Sequence, residues 1–375
     1  MAGSIYGNLF KISSWGESHG KGVGVVVDGC PAGLSINEKM IQMYLNRRKP
    51  GTTKYSTPRK EEDLVEILSG VFEGKTTGTP IAMEIRNTTQ RSADYSEIAS
   101  YYRPGHADFT FDAKYGFRDY RGGGRSSGRE TIARVAAGAI ACNILKELGI
   151  TVSSYTKSIG PISINYQNCK KENIMASPLY MPDLDASAKA EDFLLQQMKN
   201  QDSTGGIVEC IVSGMPAGIG EPTFEKLDAN LAKAILSIGA VKGVEFGSGF
   251  EAATMNGSMN NDNFQFNSSH SSLETISMDA IKKTSNFAGG ILGGISDGSE
   301  IILRAAFKPT PSIGKTQQTV NKNGENIEIN VKGRHDPIIV PRAVVVVEAM
   351  TAITLVDMLF MNMSARMDKL INFYK

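Results

Sequence analysis

The chain has 375 residues, 41% hydrophobic and 21% charged, with a formal net charge of +1 from 40 basic and 39 acidic side chains. That length supports one large core or two modest domains, and the composition excludes fibrous and disordered classes. The balanced charge excludes a global field that would draw the chain to nucleic acid or to a membrane surface.

In chain order, the N-terminal MAGSIYGNLFKISSWGESHG lacks the basic-then-apolar pattern of a secretory signal. A strand is expected at about 22–28, then a helix at about 36–47. Ser35 and Glu38 have S-x-x-E capping spacing ahead of Met40, Ile41, Tyr44 and Leu45. A strand follows at about 81–86. RDYRGGGRSSGRE (118–130) opens a helix over about 128–148, with Ser127 and Glu130 as a second S-x-x-E pair. Further helices are expected at about 189–199, 224–238, 273–285 and 341–363, and strands at about 206–213, 299–307 and 326–331. The Asn/Ser-rich segment 256–272 reads as an exposed loop. The last helix contains the longest apolar stretch, but Glu348 and Asp357 interrupt it, so it reads as a buried helix rather than a membrane span. Mixed strands and helices without a βαβ rhythm predict an α+β fold with antiparallel sheets. The four widely spaced cysteines suit reduced thiols in a cytosol.

A faint repeat runs through this order. ESHGKGVGVVVDGCPAGL (17–34) matches DSTGGIVECIVSGMPAGI (202–219) in an acid, Ser, any residue, Gly, an apolar strand and G-x-P-A-G. Coincidence among Gly-Pro turns is the alternative to duplication. Duplication predicts halves of about 1–185 and 186–375, packed about a pseudo-two-fold with a ligand site between them. No Pro/Ser-rich linker separates them, so 1–375 reads as one structural unit.

Of 15 arginines, 11 lie between Arg47 and Arg134. Arginine forms two-pronged hydrogen bonds to phosphate and carboxylate, so the clustering points to an anionic small-molecule ligand. The Gly-rich 118–130 loop supports this, since it ends at a helix N-terminus and carries Arg121, Arg125 and Arg129. His19 in GESHG and His106 in RPGHAD could act as acid or base, or serve equally as hydrogen-bonded structural residues. His335 and Asp336 form a further polar pair, and no histidine has zinc spacing, so no metal is expected. GVFEGKTTG (70–78) resembles a P-loop, the basis of an alternative NTPase reading. It is one residue short, and Pro80 with an alternating strand follows where a helix must start. An RNA-binding module is the other alternative, and the near-neutral charge counts against it.

Taken together, GESHG (16–20), RRKPG (47–51), GVFEG-x-TTGTP (70–80), RPGHAD (103–108), RDYRGGGRSS-x-RE (118–130), VKGVEFG (241–247), GGILGGIS-G (289–298), KPT (308–310) and KGRHDP (332–337) resemble the chorismate synthase family over nearly the whole chain. The resemblance implies a β-α-β sandwich with helices between antiparallel sheets and two pseudo-symmetric halves, assembled as a homotetramer. It implies a cytoplasmic lyase that eliminates phosphate from 5-enolpyruvylshikimate 3-phosphate using reduced FMN, and it leaves NADPH open as a reductant. It implies no nucleic-acid or membrane partner. His106 would assist the departing phosphate, His19 would lie at the flavin N1 edge, and Asp336 near flavin N5 would help remove the C6 proton. Substrate contacts would be Arg48, Lys54 (where arginine is usual), Arg103, Ser127, Arg129 and Arg334. Flavin contacts would be Arg125, Ser126, Ser127, Gly239, Ala240, Gly293, Lys308, Pro309, Thr310, Pro311, Ser312 and Arg334.

Overall fold

A computed structural model describes residues 3–51, 55, 61–88, 97–266, 280–330 and 336–375. The first sheet contains β1 (Ile5–Tyr6), β2 (Lys11–Gly16), β3 (Gly22–Asp28), β4 (Val65–Ile67) and β5 (Ile81–Arg86), ordered β1-β2-β3-β5-β4. The second contains β6 (Thr151–Ile159), β7 (Ile162–Ser163), β8 (Gly206–Ser213), β9 (Val241–Phe246) and β10 (Ile301–Phe307), ordered β7-β6-β8-β10-β9. Every neighbouring pair is antiparallel, and four strands correspond in order, β2-β3-β5-β4 with β6-β8-β10-β9, while the edge strands β1 and β7 differ in chain position. Alternation explains the buried faces. Val23, Val25 and Val27 stand opposite Ile85, Met83 and Ile81, as Val208, Cys210 and Val212 stand opposite Ala305, Leu303 and Ile301.

The main helices are α1 (Glu38–Arg48), α2 (Asp108–Tyr115), α3 (Thr131–Glu147), α4 (Leu184–Lys199), α5 (Leu227–Leu236) and α6 (Val340–Met361). Helices α1 and α3 pack on the first sheet, α5 and α6 on the second, and α3 and α6 pack on each other. The result is an α+β sandwich with its helical layer between the two sheets. At the α3–α6 crossing, a Cβ on Gly138 would lie 2.2 Å from the Ala349 Cβ, so only glycine permits this approach.

Helix α6 is apolar all round because it is enclosed. Its two carboxylates have internal partners. Glu348 accepts both prongs of Arg47 at 2.7 and 2.9 Å. Asp357 accepts the backbone N–H groups of Asn8, Leu9 and Phe10 at 2.7–3.0 Å, which anchors the first turn of the chain. This length of apolar helix is thus the centre of the fold, as its charges suggested.

Some expectations are corrected. The described part of the 273–285 helix, Ile281–Lys283, is a strand paired with Phe264–Phe266, and 273–279 lie outside the described residues. Within the expected 256–272 loop, Gly257–Asn260 is a helical turn and Phe264–Phe266 is that exposed strand. The cap of α1 is Asn37, whose Oδ1 accepts from Met40 N at 2.9 Å; Ser35 plays no such part. Ser127 does cap, but onto Arg129 N, while Glu130 turns to Arg134 at 2.9 Å. A 3₁₀ turn, Gly128–Glu130, therefore precedes α3.

Candidate active site

The GESHG loop follows β2 and buries Ser18 and His19. Ser18 Oγ lies 3.1 Å from His19 Nδ1 and donates to the Gly122 carbonyl at 3.2 Å. Gly122 has φ +62°, and a Cβ there would lie 2.1 Å from His19 Cε1. Glycine at this position lets the triple-glycine turn close over the imidazole. A Cβ on Gly123 would lie 4.0 Å from Arg103 Nη2, so the 103–108 loop comes up beside the same turn.

Arg103 is buried and places its fork on Asp108, Nε and Nη2 each at 2.8 Å. Burial alone would raise the Asp108 pKa, but this fork holds it below the usual carboxylate range. His106 Nε2 lies 2.9 Å from Ser312 Oγ, and Lys308 Nζ donates to Gly105 O at 2.7 Å. The stiff Pro309–Thr310–Pro311 run is therefore pressed against RPGHAD. Thr310 O accepts from Ser203 Oγ at 2.6 Å, whereas Thr310 Oγ1 is buried with no hydrogen-bond partner among the described residues. Burial and then the positive charge of Lys242 lower the Lys308 pKa. Lys308 N also donates to Ala240 O at 2.9 Å. Gly239 and Ala240 follow α5, whose end Arg134 ties to the start of α3 through Ser237 Oγ and O, at 2.5 and 3.1 Å.

The third group lies where α1 ends. Arg48 Nη2 is 3.8 Å from Asp63 Oδ2, while its buried Nε and Nη1 have no hydrogen-bond partner among the described residues. Burial, then the Arg342 guanidinium, pushes the Arg48 pKa down to about 10. Arg129 Nη1 donates to Asp63 Oδ1 at 2.9 Å and also pairs with Glu61. Arg129 Nε donates to Asn87 Oδ1, and Asn87 Nδ2 donates to Glu17 O and Gly20 O at 3.0 and 2.8 Å. This joins the arginines to the His19 loop. In the first turn of α6, Arg342 donates to Asp336 Oδ2 at 2.8 Å and to Arg48 O at 3.1 Å.

His19, Arg48, Arg103, His106, Ser126, Ser127, Arg129, Gly239, Ala240, Lys308 to Ser312 and Asp336 thus lie along one connected set of contacts. Lys54 and Arg334 fall outside the described residues. Two expected residues stand differently. Arg125 reaches back to Ser14 Oγ at 2.7 Å and Gly16 O at 3.2 Å, so its guanidinium tethers the loop to β2. Gly293 sits in the Ile291–Leu292/Ile295–Ser296 hairpin, where Gly294 O accepts from Leu227 N at the start of α5. That is the opposite end of a helix about 15 Å long from Ala240. Arg121 pairs at the surface with Asp119, not with the helix terminus. Asp63, Asn87 and Arg342 carried no motif and were missed; only the charge of Arg342, six residues after Asp336, was a signal.

A buried, under-partnered guanidinium close to carboxylates, joined through Arg129 and Asn87 to the His19 loop, is the arrangement of a small-molecule enzyme site. The chain belongs to the chorismate synthase family, whose profile, described as chorismate synthase, matches residues 10–360. It is 71% identical over 375 residues to the chorismate synthase of Lachnoclostridium phytofermentans, covering 100% of both chains. It is 53% identical over 360 residues to that of Methanosarcina barkeri, covering 95% of this chain and 96% of the other. A crystal structure of a chorismate synthase superimposes with a TM-score of 0.76 at 31% identity, over 98% of this chain and 97% of that one. The chain is accordingly a lyase acting on a small molecule, of a family that requires reduced flavin. The NTPase alternative has no support. Val71–Phe72 and Lys75–Thr76 form a hairpin, and β5 rather than a helix follows GKTTG.

Proposed function

We propose that this chain converts 5-enolpyruvylshikimate 3-phosphate to chorismate by 1,4-anti elimination of phosphate and a C6 hydrogen, with reduced FMN bound beside the substrate. The observation that carries the reading is Arg48, a buried guanidinium with two donors left over for an anion. The substrate brings one phosphate and two carboxylates, and Arg48, Arg103 and Arg129, with Lys54 and Arg334, are the cations to hold them. Charge that builds on the leaving phosphate is stabilised by such fixed cations. His106, oriented by Ser312, donates a proton to the departing phosphate; His19, held by Ser18, is the histidine that would lie at the N1 edge of the reduced flavin. Asp336, gripped by Arg342, is the carboxylate available to take up the C6 hydrogen as a proton.

The residues fit an anionic flavin nucleotide. Lys308 carries a positive charge with that of Lys242 acting on it, Thr310 Oγ1 lacks a partner among the described residues, and Ser126 and Ser127 stand at the Gly-rich turn. When bound, reduced flavin supplies electron density to the allylic centre. Gly293, remote from this set within one chain, would meet flavin only across a subunit boundary, in keeping with a homotetramer. The chain is further read as one structural unit with halves 1–185 and 186–375, cytoplasmic, with the source of reducing electrons, NADPH or an outside reductant, left open. Phosphate release, followed anaerobically with and without reduced FMN, tests the reading. Release should require reduced FMN and fall sharply in Arg48→Ala. Flavin-independent release, or none with flavin present, overturns it.

A further inference from the structure

The site contains a carboxylate that the reaction chemistry above does not use. Asp63 is 3% exposed, yet it lies among the guanidinium groups of Arg48 and Arg129, with Arg342 and Lys49 close enough to act on it electrostatically. Its backbone is at φ +49°, a left-handed conformation that non-glycine residues rarely adopt. Such strain persists where the surroundings over-determine it, and it concentrates at functional sites. Here the turn aims the carboxylate inward: Oδ1 accepts from Arg129, while Oδ2 faces Arg48 at 3.8 Å and has no hydrogen-bond partner among the described residues.

A strained, buried carboxylate with an unused oxygen is poor as a stability device. It is well suited to another task. Glu61 pairs with Arg129 and Asp336 with Arg342, but Arg48 has no carboxylate within hydrogen-bonding distance among the described residues, Asp63 standing at 3.8 Å. We infer that Asp63 is the internal counter-ion of this site, occupying in the ligand-free enzyme the electrostatic place of the substrate's anionic groups and holding Arg48 and Arg129 in the directions that receive them. The inference rests on the substrate-binding reading of Arg48 and Arg129. Asp63 is a positioning residue, since it acts through the arginines. It lowers ground-state attraction for anions in return for orientation, so its loss should separate binding from turnover.

The substitution Asp63→Asn removes the charge but keeps the shape, and asparagine tolerates a left-handed backbone better than other side chains. Asp63→Gly accommodates φ +49° freely and serves if the asparagine variant does not fold. The probe is inorganic phosphate, titrated by calorimetry into the ligand-free enzyme, followed by steady-state turnover with reduced FMN. Phosphate should bind at least about tenfold tighter, a modest part of what removing one unit charge a few ångströms away gives. KM should fall or hold while kcat drops, and Asp63→Glu should restore part of the weaker phosphate binding. Unchanged phosphate affinity, or affinity and kcat lost together, overturns the counter-ion role. If the wild-type enzyme itself releases no phosphate from 5-enolpyruvylshikimate 3-phosphate, the functional reading fails instead, whatever the titration gives.

Discussion

Replacing Arg48 by methionine should stabilise the protein while crippling it. The guanidinium is fully buried, and its pKa falls from the ordinary arginine value to about 10, first through burial and then through Arg342. That fall corresponds to about 3 kcal/mol against the charged form. Because the folded value lies below the ordinary one, the penalty is full at every pH below about 10. Its one ion-pair partner among the described residues, Asp63, stands at 3.8 Å, and two donors are unmatched. Methionine fills a similar volume without these costs, and exchanges of buried ions for apolar side chains are often neutral or stabilising by about 1–4 kcal/mol. Removing Arg48 also weakens the support of Asp63, so a net gain of about 1–3 kcal/mol, or about 1–4 °C in Tm, is expected. Loss of a charge-assisted contact to the substrate should lower kcat/KM about 10- to 10²-fold. Scanning calorimetry of the ligand-free enzyme and initial-rate phosphate release measure the two effects. A lower Tm combined with unchanged kcat/KM would refute the claim that Arg48 is kept for an anion at the expense of the fold.

Three further outcomes follow from the contacts. His106→Ala should lower kcat about 10²- to 10⁴-fold and leave flavin binding, read by absorbance titration, intact; Ser312→Ala, which removes only the neutral partner of that ring, should cost far less. Gly122→Ala places a methyl 2.1 Å from His19 Cε1 at a φ of +62°, so kcat should fall about tenfold or more as the imidazole moves. An unmoved rate would detach His19 from the chemistry. Asp262, which burial alone would raise, is brought down to about 2 by Ser285, the Ala288 and Phe287 amides and Lys283. A carboxylate depressed in the folded state contributes its stability above the unfolded value near 4 and loses it as pH falls through about 2. Asp262→Asn should therefore unfold more easily at neutral pH but lose less stability on acidification between pH 4 and 2, as followed by chemical denaturation.

The strands legible in the sequence were those whose inward positions are aliphatic. In β3, β5, β8 and β10 alternate residues are Val, Ile, Met, Leu, Ala, Phe or Cys on the buried face. Strand β6, next to the sheet edge, was passed over because its inward positions are Ser154, Thr156 and Ser158, which are buried yet polar. Small hydroxyl side chains there fit against α6, so the face is set by close approach and not by hydrophobicity. The 273–285 helix was misplaced for a related reason: Ile281–Lys283 is too short a strand to show any period, and its pairing with Phe264–Phe266 is decided in three dimensions.

The same division runs through the site. GESHG, RPGHAD, the triple-glycine turn and KPTPS were readable because each loop carries its residues within a few positions, and the fold needed only to bring the loops together. Arg125 shows the limit of such reading: the motif carries no sign that its guanidinium turns to Ser14 Oγ and Gly16 O on β2. Asp63 shows the converse. No residue type or spacing distinguishes it from Glu61 or Glu62; its distinction is a left-handed backbone that directs it between two arginines, one 15 residues earlier and one 66 later. Arginines announce an anion site through their number. The carboxylate that keeps them apart until the anion arrives needs only one residue in one conformation, so a structure is required to find it.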